Sequence, residues 1–228
     1  MELLDLRSAT RAMLDDSEEP HLWPDEDIDR RLNNAVREAC LRARLLRSDA
    51  ESDPDVCSVP VTAGQSRIEL DPSIMAVRSA SLADGANTLR IVASTDMDRF
   101  EPGWDAGRLE SGMPFYLVVD MGPNAARLWP TPDADATLRL RVWRMPTDLE
   151  LMEGDSDEPV ITLPDPEELC HWAAYECYMV TDSQTYDADA AGTHLQLFEA
   201  RFGKRPNLHE MSRWADAPSP RARHTQYF

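Results

Sequence analysis

The segment from Asp25 to Arg47 reads DEDIDRRLNNAVREACLRARLLR. Its apolar residues recur at steps of three and four along the chain: Ile28, Leu32, Ala35, Ala39, Ala43 and Leu46. Its arginines occupy other positions: Arg30, Arg31, Arg37, Arg42, Arg44 and Arg47. This spacing predicts an amphipathic helix of about six turns, with Asp25 as its N-cap and an apolar face that needs partners.

Both ends of the chain supply such partners. Residues Leu3 to Leu14 repeat apolar side chains at helical spacing, and the acidic segment Asp15 to Pro20 breaks that pattern. Near the other end, Asp165 is the expected N-cap of a helix with Pro166 in its first turn and Glu168 completing a capping box. A last helix is predicted from Asp187 to Phe202, ended by Gly203.

The middle of the chain has the alternating pattern of β-strands. Alternation is clearest from Thr137 to Arg144, where Leu138, Leu140 and Val142 share one face. The other predicted strands are Val59–Val61, Ile68–Leu70, Ile74–Ser81, Thr88–Ala93, Phe115–Val119 and Ala126–Trp129. Ala63-Gly64-Gln65 is expected to form a hairpin turn between the first two. Because no helical pattern separates the strands, we expect antiparallel pairing.

The predicted fold class is therefore α+β. The N- and C-terminal segments form a helical bundle, with an inserted antiparallel β-rich domain and an extended C-terminal arm. The expected divisions are an N-terminal helical hairpin at 1–50, the β-rich insertion at 51–164, the C-terminal helices at 165–203 and the arm at 204–228.

The chain is strongly acidic. Its 228 residues include 42 acidic and 23 basic side chains, a net charge of −19. A surface with this charge repels nucleic acid and anionic lipid, which argues against non-specific DNA binding by the whole surface. No apolar run approaches the length of a membrane span and the first residues lack the order of a signal peptide, so we expect a protein that stays in the cytoplasm where it is made.

Residue types that carry chemistry form no recognisable motif. The cysteines lack metal-ligand spacing and are expected to be reduced: Cys40, Cys57, Cys170 and Cys177. The histidines are scattered: His21, His171, His194, His209 and His224. Asp187 to Gly192 imitates the start of a calcium-binding EF-hand loop, but Phe198 stands where a glutamate ligand is needed, so helix capping by Asp187 is the simpler interpretation. We expect no enzymatic activity and no catalytic, cofactor-binding or metal-binding residues.

The last part of the chain changes character. From Lys204 onward basic residues outnumber acidic ones, and the chain ends on Tyr227-Phe228. Such a tail is either disordered or an arm that becomes ordered when it docks on a partner.

Several local strings, taken with the order of elements, resemble the head-to-tail adaptor (connector) proteins of tailed bacteriophages. The strings are LWPDEDI at 22–28, LNNA at 32–35, AGQ at 63–65, PGW at 102–104, GMP at 112–114, LWPTP at 128–132, WAAY at 172–175 and FEARF at 198–202. The likeness covers nearly the whole chain, and each string is typical of the fold rather than of a catalytic site.

The resemblance implies a structural virion protein located in the neck. It implies a homo-oligomeric ring, expected to be twelvefold, beneath the portal protein. This ring would extend the DNA channel, let DNA pass without specific binding, and offer a platform for a tail or nozzle protein. The C-terminal arm would dock on the portal through Arg213, Trp214, Arg221, Arg223, His224, Tyr227 and Phe228.

Neighbouring subunits of a ring meet through two different faces. We expect Arg30, Arg37, Arg44 and Arg47 to make contacts between subunits. The acidic segments Asp15–Glu19 and Asp148–Glu158 are the expected complementary surface. The alternative is that the arginines form a solvated helix face, with pairs to Asp27 and Glu38 inside the same helix.

Two other functions stay open on the sequence. A β-rich module that binds a glycan or another protein, with the helices as an oligomerisation stalk, would be favoured by Trp104, Trp129 or Trp143 exposed together on one face. A hydrolase would need two carboxylates sharing a pocket at catalytic separation.

Overall fold

The computed structural model of the chain describes residues 1–82, 87–105, 111–181, 185–207 and 210–211. Over these residues the fold is α+β, as predicted. Met1–Leu46 and Arg144–Pro206 form one compact unit, and the second unit contains Arg47–Trp143. We refer to them as the helical unit and the sheet unit.

The elements follow one another along the chain as helices, strands and helices. The α-helices are α1 (Leu3–Met13), α2 (Asp25–Ala43), α3 (Pro54–Cys57), α4 (Ser94–Phe100), α5 (Glu168–Tyr178) and α6 (Ala188–Phe202). The strands are β1 (Arg47–Asp49), β2 (Ser58–Val61), β3 (Arg67–Glu69), β4 (Ile74–Leu82), β5 (Asn87–Val92), β6 (Ser111–Gly112), β7 (Tyr116–Val118), β8 (Ala125–Trp129), β9 (Thr131–Pro132) and β10 (Ala136–Arg144).

One core holds the helical unit together, and α5 contacts each of α1, α2 and α6 within it. The core residues include Leu3, Leu6, Ile28, Leu32, Leu169, Cys170, Ala173, Ala174, Cys177, Phe198 and Phe202. The small side chains of Ala173 and Ala174 are fully buried, which lets neighbouring helices approach α5 closely. The apolar face predicted for α2 faces this core through Ile28 and Leu32.

Helix α2 is shorter than predicted. It is 19 residues long and ends at Ala43, because Arg44 adopts a left-handed conformation with φ of 52° and donates its N–H to the carbonyl of Cys40. Leu45 and Leu46 still pack against the helical core, so the apolar pattern continues past the end of the helix. The prediction that α2 extends to Arg47 is therefore wrong.

Two predicted helix starts also differ from the structure. Asp25 is the first residue of α2 rather than its N-cap, and no side chain caps that end. Helix α5 begins at Glu168 rather than at Pro166. Asp165 accepts a hydrogen bond from the N–H of Glu167 at 3.2 Å and so caps the turn that precedes the helix. The boundaries predicted for α6 are confirmed, with Asp187 as N-cap and Gly203 after its last residue.

The sheet unit is built on an eight-stranded sheet with the order β1-β10-β4-β5-β7-β8-β3, and β2 also pairs with β10. Its core residues include Val61, Ile68, Leu82, Leu89, Leu117, Leu128, Leu138, Leu140 and Val142. The predicted inward face of β10 is confirmed.

The expectation of a purely antiparallel sheet is wrong, because β5 and β7 pair in parallel. A parallel pair needs a crossover connection, and α4 lies in the chain between these two strands. Only Met97 of α4 is buried, so this helix has no apolar stripe in the sequence. Its first residue is fixed by a distant carboxylate, since Asp120 accepts hydrogen bonds from Ser94 N and Oγ at 2.6 Å each.

The predicted hairpin between β2 and β3 is also wrong. The turn is present, with Gly64 at φ of 82° and a bond from Gln65 N to the Thr62 carbonyl at 3.0 Å. However, β2 pairs with β10 and β3 pairs with β8. The turn residues set the local bend, while partners far along the chain set the pairing.

Candidate interaction surfaces

Two arginines of α1 organise the connection between α1 and α2. Arg11 is buried and its guanidinium contacts Asp16 at 2.6 Å, Asp25 at 2.5 Å and the Trp23 carbonyl at 2.8 Å. The hydrogen bond from Arg11 is the main cause that lowers the pKa of Asp25. Ion pairs of this kind fix the entry to α2 although the predicted N-cap is missing.

Arg7 lies one turn earlier and makes a bidentate contact with Asp29 of α2, at 2.8 Å for each bond. A third carboxylate, that of Asp155, lies 3.0 Å from the same guanidinium. These contacts, led by the hydrogen bond to Asp29, raise the pKa of Arg7. Sequence reasoning missed both arginines, although their spacing of four residues before an acidic segment was the available signal.

The four arginines predicted to contact neighbouring subunits do not share one environment. Arg30 contacts Asp27 of the same helix at 2.6 Å, which is the pairing that the solvated-face alternative predicted. Arg37 contacts Asp148 at 2.9 Å. Arg44 closes α2, and Arg47 lies exposed in β1. Their role between subunits stays a prediction, and the structure does not bring the four together on one helix face.

Other arginines of α2 are buried rather than solvated. The side chain of Arg42 is only 3% exposed and contacts Glu38 at 3.0 Å, the second pair that the alternative predicted. Its guanidinium also lies 4.9 Å from the ring centre of Trp172 and 5.3 Å from that of Phe198. Such cation–π contacts make Arg42 part of the packing between α2, α5 and α6.

The two acidic segments differ in how many of their carboxylates form ion pairs. In Asp148–Glu158, Asp148 pairs with Arg37, Asp155 with Arg7, and Glu158 with the Met1 amino group at 2.8 Å. In Asp15–Glu19, Asp16 pairs with Arg11. Asp15, Glu18 and Glu19 are exposed and have no ion pair within the described ranges. The second segment therefore keeps free carboxylates, while the first uses most of its own inside the subunit.

A short turn after β10 displays one leucine to solvent. The carboxylate of Glu150 accepts two hydrogen bonds from the buried Arg144, at 2.6 Å each, and two from Thr147 N and Oγ1 at 2.8 and 2.9 Å. These bonds, led by Arg144, lower the pKa of Glu150 to about 2. Leu149, between Thr147 and Glu150, is 98% exposed. In the sequence, these residues stand out only as part of the acidic segment Asp148–Glu158.

The sheet unit carries a second set of arginines. Arg47 of β1, Arg78 of β4, and Arg139 and Arg141 of β10 are all exposed, and we call them the arginine patch. They line two adjoining cavities of about 410 and 420 Å³ that share Asp49, Ser79 and Arg141. Of these four arginines, only Arg47 was a predicted site residue. The others were missed because the strand order that brings them together could not be predicted from the sequence.

The family model of the SU10 adaptor protein matches residues 1–224 of the chain. The chain belongs to the SU10 adaptor protein family. This confirms the resemblance to phage adaptors that the sequence strings indicated. A comparison with curated proteins finds no match. As a member of the SU10 adaptor family, the chain is a structural bacteriophage protein and a virion component that associates with other phage head and tail proteins.

Of the arm predicted for this SU10 adaptor, the structure describes residues 204–207 and 210–211. All of the residues predicted to dock on the portal lie outside the described ranges: Arg213, Trp214, Arg221, Arg223, His224, Tyr227 and Phe228. Portal docking by the arm therefore stays a prediction. Among the described helices, none is long and apolar enough to cross a bilayer.

Trp104, Trp129 and Trp143 of this SU10 adaptor do not form the exposed cluster that a binding module would favour. Trp104 and Trp129 are buried in a small core with Met97. Trp143 is half-buried, and the guanidinium of Arg78 lies 4.2 Å from its ring centre. These rings contribute to packing and to the arginine patch.

The thiols of this SU10 adaptor, and the histidines of α5 and α6, lie in packed surroundings. None of the four cysteines forms a disulfide bond, and all four are buried. Burial raises the pKa of Cys40 to about 12 and the pKa values of Cys170 and Cys177 to about 11. His171 and His194 join α5 to α6 with 3.0 Å between their Nδ1 atoms, and burial lowers the pKa of His194. Within the described ranges, no three His, Cys, Asp or Glu side chains are grouped to hold a metal ion.

Proposed function

We propose that this SU10 adaptor is a head-to-tail adaptor that forms a homo-oligomeric ring beneath the portal protein. The ring, expected to be twelvefold, extends the DNA channel and gives a tail or nozzle protein its attachment platform. The protein is made in the host cytoplasm, joins the virion neck and carries out no chemistry. The observation that carries the proposal is the family match, which extends over residues 1–224 and so includes both units and all but the last four residues of the arm.

The charge distribution supports a ring with an open channel. DNA is held by cationic contacts to its phosphates, and each such contact releases counterions. With a net charge of −19, the chain has too few unpaired cations to hold DNA along its whole surface. DNA then passes through the lumen of the ring without specific binding.

The same proposal assigns a role to each segment of the chain. The N-terminal hairpin and the C-terminal helices form the body of each subunit, the β-rich insertion adds a second surface, and residues 204–228 form the arm. The helical unit carries exposed acids and the sheet unit carries the arginine patch, so the chain has two surfaces of opposite charge. A heterologous ring contact requires two such faces.

The mass of the protein in solution tests the proposal. Light scattering is measured on the protein alone and on a mixture with purified portal rings from the same phage. We expect the mixture to contain one complex in which the number of adaptor subunits per portal ring is fixed and ring-sized. A protein that leaves the portal rings unchanged in mass over the whole concentration range would overturn the proposal.

A further inference from the structure

We propose that the arginine patch binds the free carboxylates of Asp15, Glu18 and Glu19 in a second copy of the chain. This inference rests on the proposed ring and names the two faces that meet in it. One face lies on the strands β1, β4 and β10, and the other lies on the connection between α1 and α2.

The geometry of the sheet brings the four arginines together. Arg139 and Arg141 are two residues apart in β10, so both side chains leave the same face of the sheet. Arg47 belongs to β1, whose Cα partners in β10 run from Arg141 to Trp143. Arg78 comes from β4, on the other side of β10, and stacks on the Trp143 ring. The sheet order β1-β10-β4 thus gathers cations from three strands.

The patch is positive, and its guanidinium groups lack the close ion pairs that most arginines of the helical unit make, although the charge of Arg141 contributes to lowering the pKa of Asp49. Arg7, Arg11, Arg30, Arg37, Arg42 and Arg144 each contact a carboxylate. For the patch, no carboxylate of the described residues lies within 4.0 Å of any guanidinium. Gathering like charges without partners is unfavourable, and an acidic partner removes that cost.

The carboxylate nearest to the patch is already engaged. Asp49 accepts hydrogen bonds from the backbone N–H groups of Glu51 at 3.0 Å and Ser52 at 2.9 Å. The bond from Ser52 is the first cause that lowers the pKa of Asp49. The cavity of about 410 Å³ is also lined by the hydroxyl groups of Ser79, Ser81 and Thr88. The site is therefore suited to carboxylates, which guanidinium groups bind in a bidentate manner.

A protein loop fits the patch better than DNA does. The cavities of about 410 and 420 Å³ have room for the side chains of a short loop. A continuous phosphate backbone would have to pass Asp49 and Glu51, which line the same surface and repel it. Discrete carboxylates can pair with individual arginines and avoid these two acids.

Among the acids of the chain, the connection between α1 and α2 is the best-prepared partner. Asp16 anchors it, because its carboxylate accepts from Leu22 N at 2.7 Å and Trp23 N at 3.2 Å in addition to Arg11. The anchored backbone leaves Asp15, Glu18 and Glu19 exposed without ion pairs in the described part of the chain. The other acidic segment uses Asp148, Asp155 and Glu158 within its own subunit.

Charge reversal tests the contact. In the patch variant, Arg139→Glu and Arg141→Glu are combined. In the loop variant, Glu18→Arg and Glu19→Arg are combined. We expect each variant to need an about tenfold or higher concentration to assemble with portal rings, since like charges then face each other. The chain that carries all four changes restores the opposite charges and is expected to assemble like the wild type.

A matched control changes the same number of charges elsewhere. Arg67→Glu with Arg99→Glu alters two exposed arginines that lie outside the arginine patch and outside the set predicted to contact neighbouring subunits. We expect this control to assemble like the wild type, and urea unfolding checks that every variant folds.

The outcomes separate the contact from the ring. If the wild type assembles and the patch variant assembles equally well, the contact is overturned while the ring stands. If the wild type never assembles, both proposals are overturned. If the patch variant assembles normally but no longer binds duplex DNA that the wild type retains in a filter-binding assay at low salt, the patch is a nucleic-acid surface and the proposed contact is wrong.

Discussion

Arg11 is a charged side chain in an almost fully buried position, and its partners explain how it can be there. Asp16 and Asp25 neutralise the guanidinium, and the Trp23 carbonyl takes up another N–H. Asp16 is itself buried, so each charge depends on the other. A buried pair of this kind is costly to form but far more costly to break from one side.

We predict that Arg11→Met lowers the free energy of unfolding by about 3–5 kcal/mol, because it leaves the buried Asp16 carboxylate without its cation. The matched control is Arg30→Met, which breaks an exposed pair within one helix and is expected to cost less than about 1 kcal/mol. Urea denaturation at neutral pH measures both. Equal losses for the two variants would contradict the assigned role of Arg11.

Glu150 gives the fold a pH dependence with a defined sign. Its pKa is lowered from 4.5 to about 2, mainly by the hydrogen bonds from Arg144. A lowered pKa in the folded state stabilises the fold fully above pH 4.5, and this contribution is lost as the pH falls towards about 2.

We predict that Glu150→Gln destabilises the protein by about 2 kcal/mol at neutral pH, since charge-assisted hydrogen bonds to Arg144 are lost. The difference in urea midpoint between wild type and variant should shrink as the pH falls from 4.5 towards 2. A difference that stays constant over this range would show that the carboxylate charge does not stabilise the turn.

Helix α6 is the element whose start depends most clearly on one side chain. Asp187 Oδ1 accepts from Asp189 N at 2.9 Å and from Ala190 N at 3.0 Å, and so satisfies two N–H groups that the helix leaves open. The same geometry explains the acids that imitate a calcium loop.

We predict that Asp187→Ala lowers the free energy of unfolding by about 1 kcal/mol, the usual cost of losing an N-cap. Asp189→Ala is the control, because the Asp189 carboxylate interacts only with the helix dipole. Its removal is expected to lower the free energy of unfolding by about 0.3 kcal/mol. Thermal unfolding followed by circular dichroism ranks the two. The assignment fails if the Asp189 variant is the less stable one.

Elements with local signals could be predicted from the sequence. Helix α6 has an N-cap at one end and Gly203 at the other, and β10 alternates over its whole length. The end of α2 could not be predicted, because Leu45 and Leu46 extend the apolar pattern into a non-helical segment. Apolar periodicity reports which side chains reach the core, and not which backbone conformation takes them there.

Features that depend on distant contacts could not be predicted. The start of α4 is fixed by Asp120 and the partner of β2 is β10, both far along the chain. The candidate surfaces follow the same rule. Arg139 and Arg141 alternate visibly within β10, yet only the sheet order brings Arg47 and Arg78 beside them. The arginines of α2 were recognised as a set, but which of them are buried depends on α5 and α6.

At the scale of the whole molecule, the arm is the part of the proposal that can be removed most cleanly. It follows helix α6, and in the proposed ring it reaches the portal. Deleting it therefore separates attachment to the portal from folding of the two units.

We predict that deletion of Ser219–Phe228 abolishes binding to portal rings, because it removes Arg221, Arg223, His224, Tyr227 and Phe228 from the proposed contact. Light scattering of the mixture with portal rings measures binding, and thermal unfolding is expected to be unchanged. The control keeps the full length of the chain and replaces Thr225 and Gln226 by alanine. This variant should bind portal rings normally. Full binding by the truncated chain would remove the arm from the portal contact.

The burial of every thiol has a practical consequence for studying the assembly. The native cysteines are inaccessible, and burial favours the protonated form of Cys40, Cys170 and Cys177, so maleimide dyes have little native thiolate to attack. A single cysteine introduced at the exposed Ser17 would then be the preferred labelling site without any removal of native cysteines. Energy transfer between donor- and acceptor-labelled copies would report the distance between neighbours as the subunits come together.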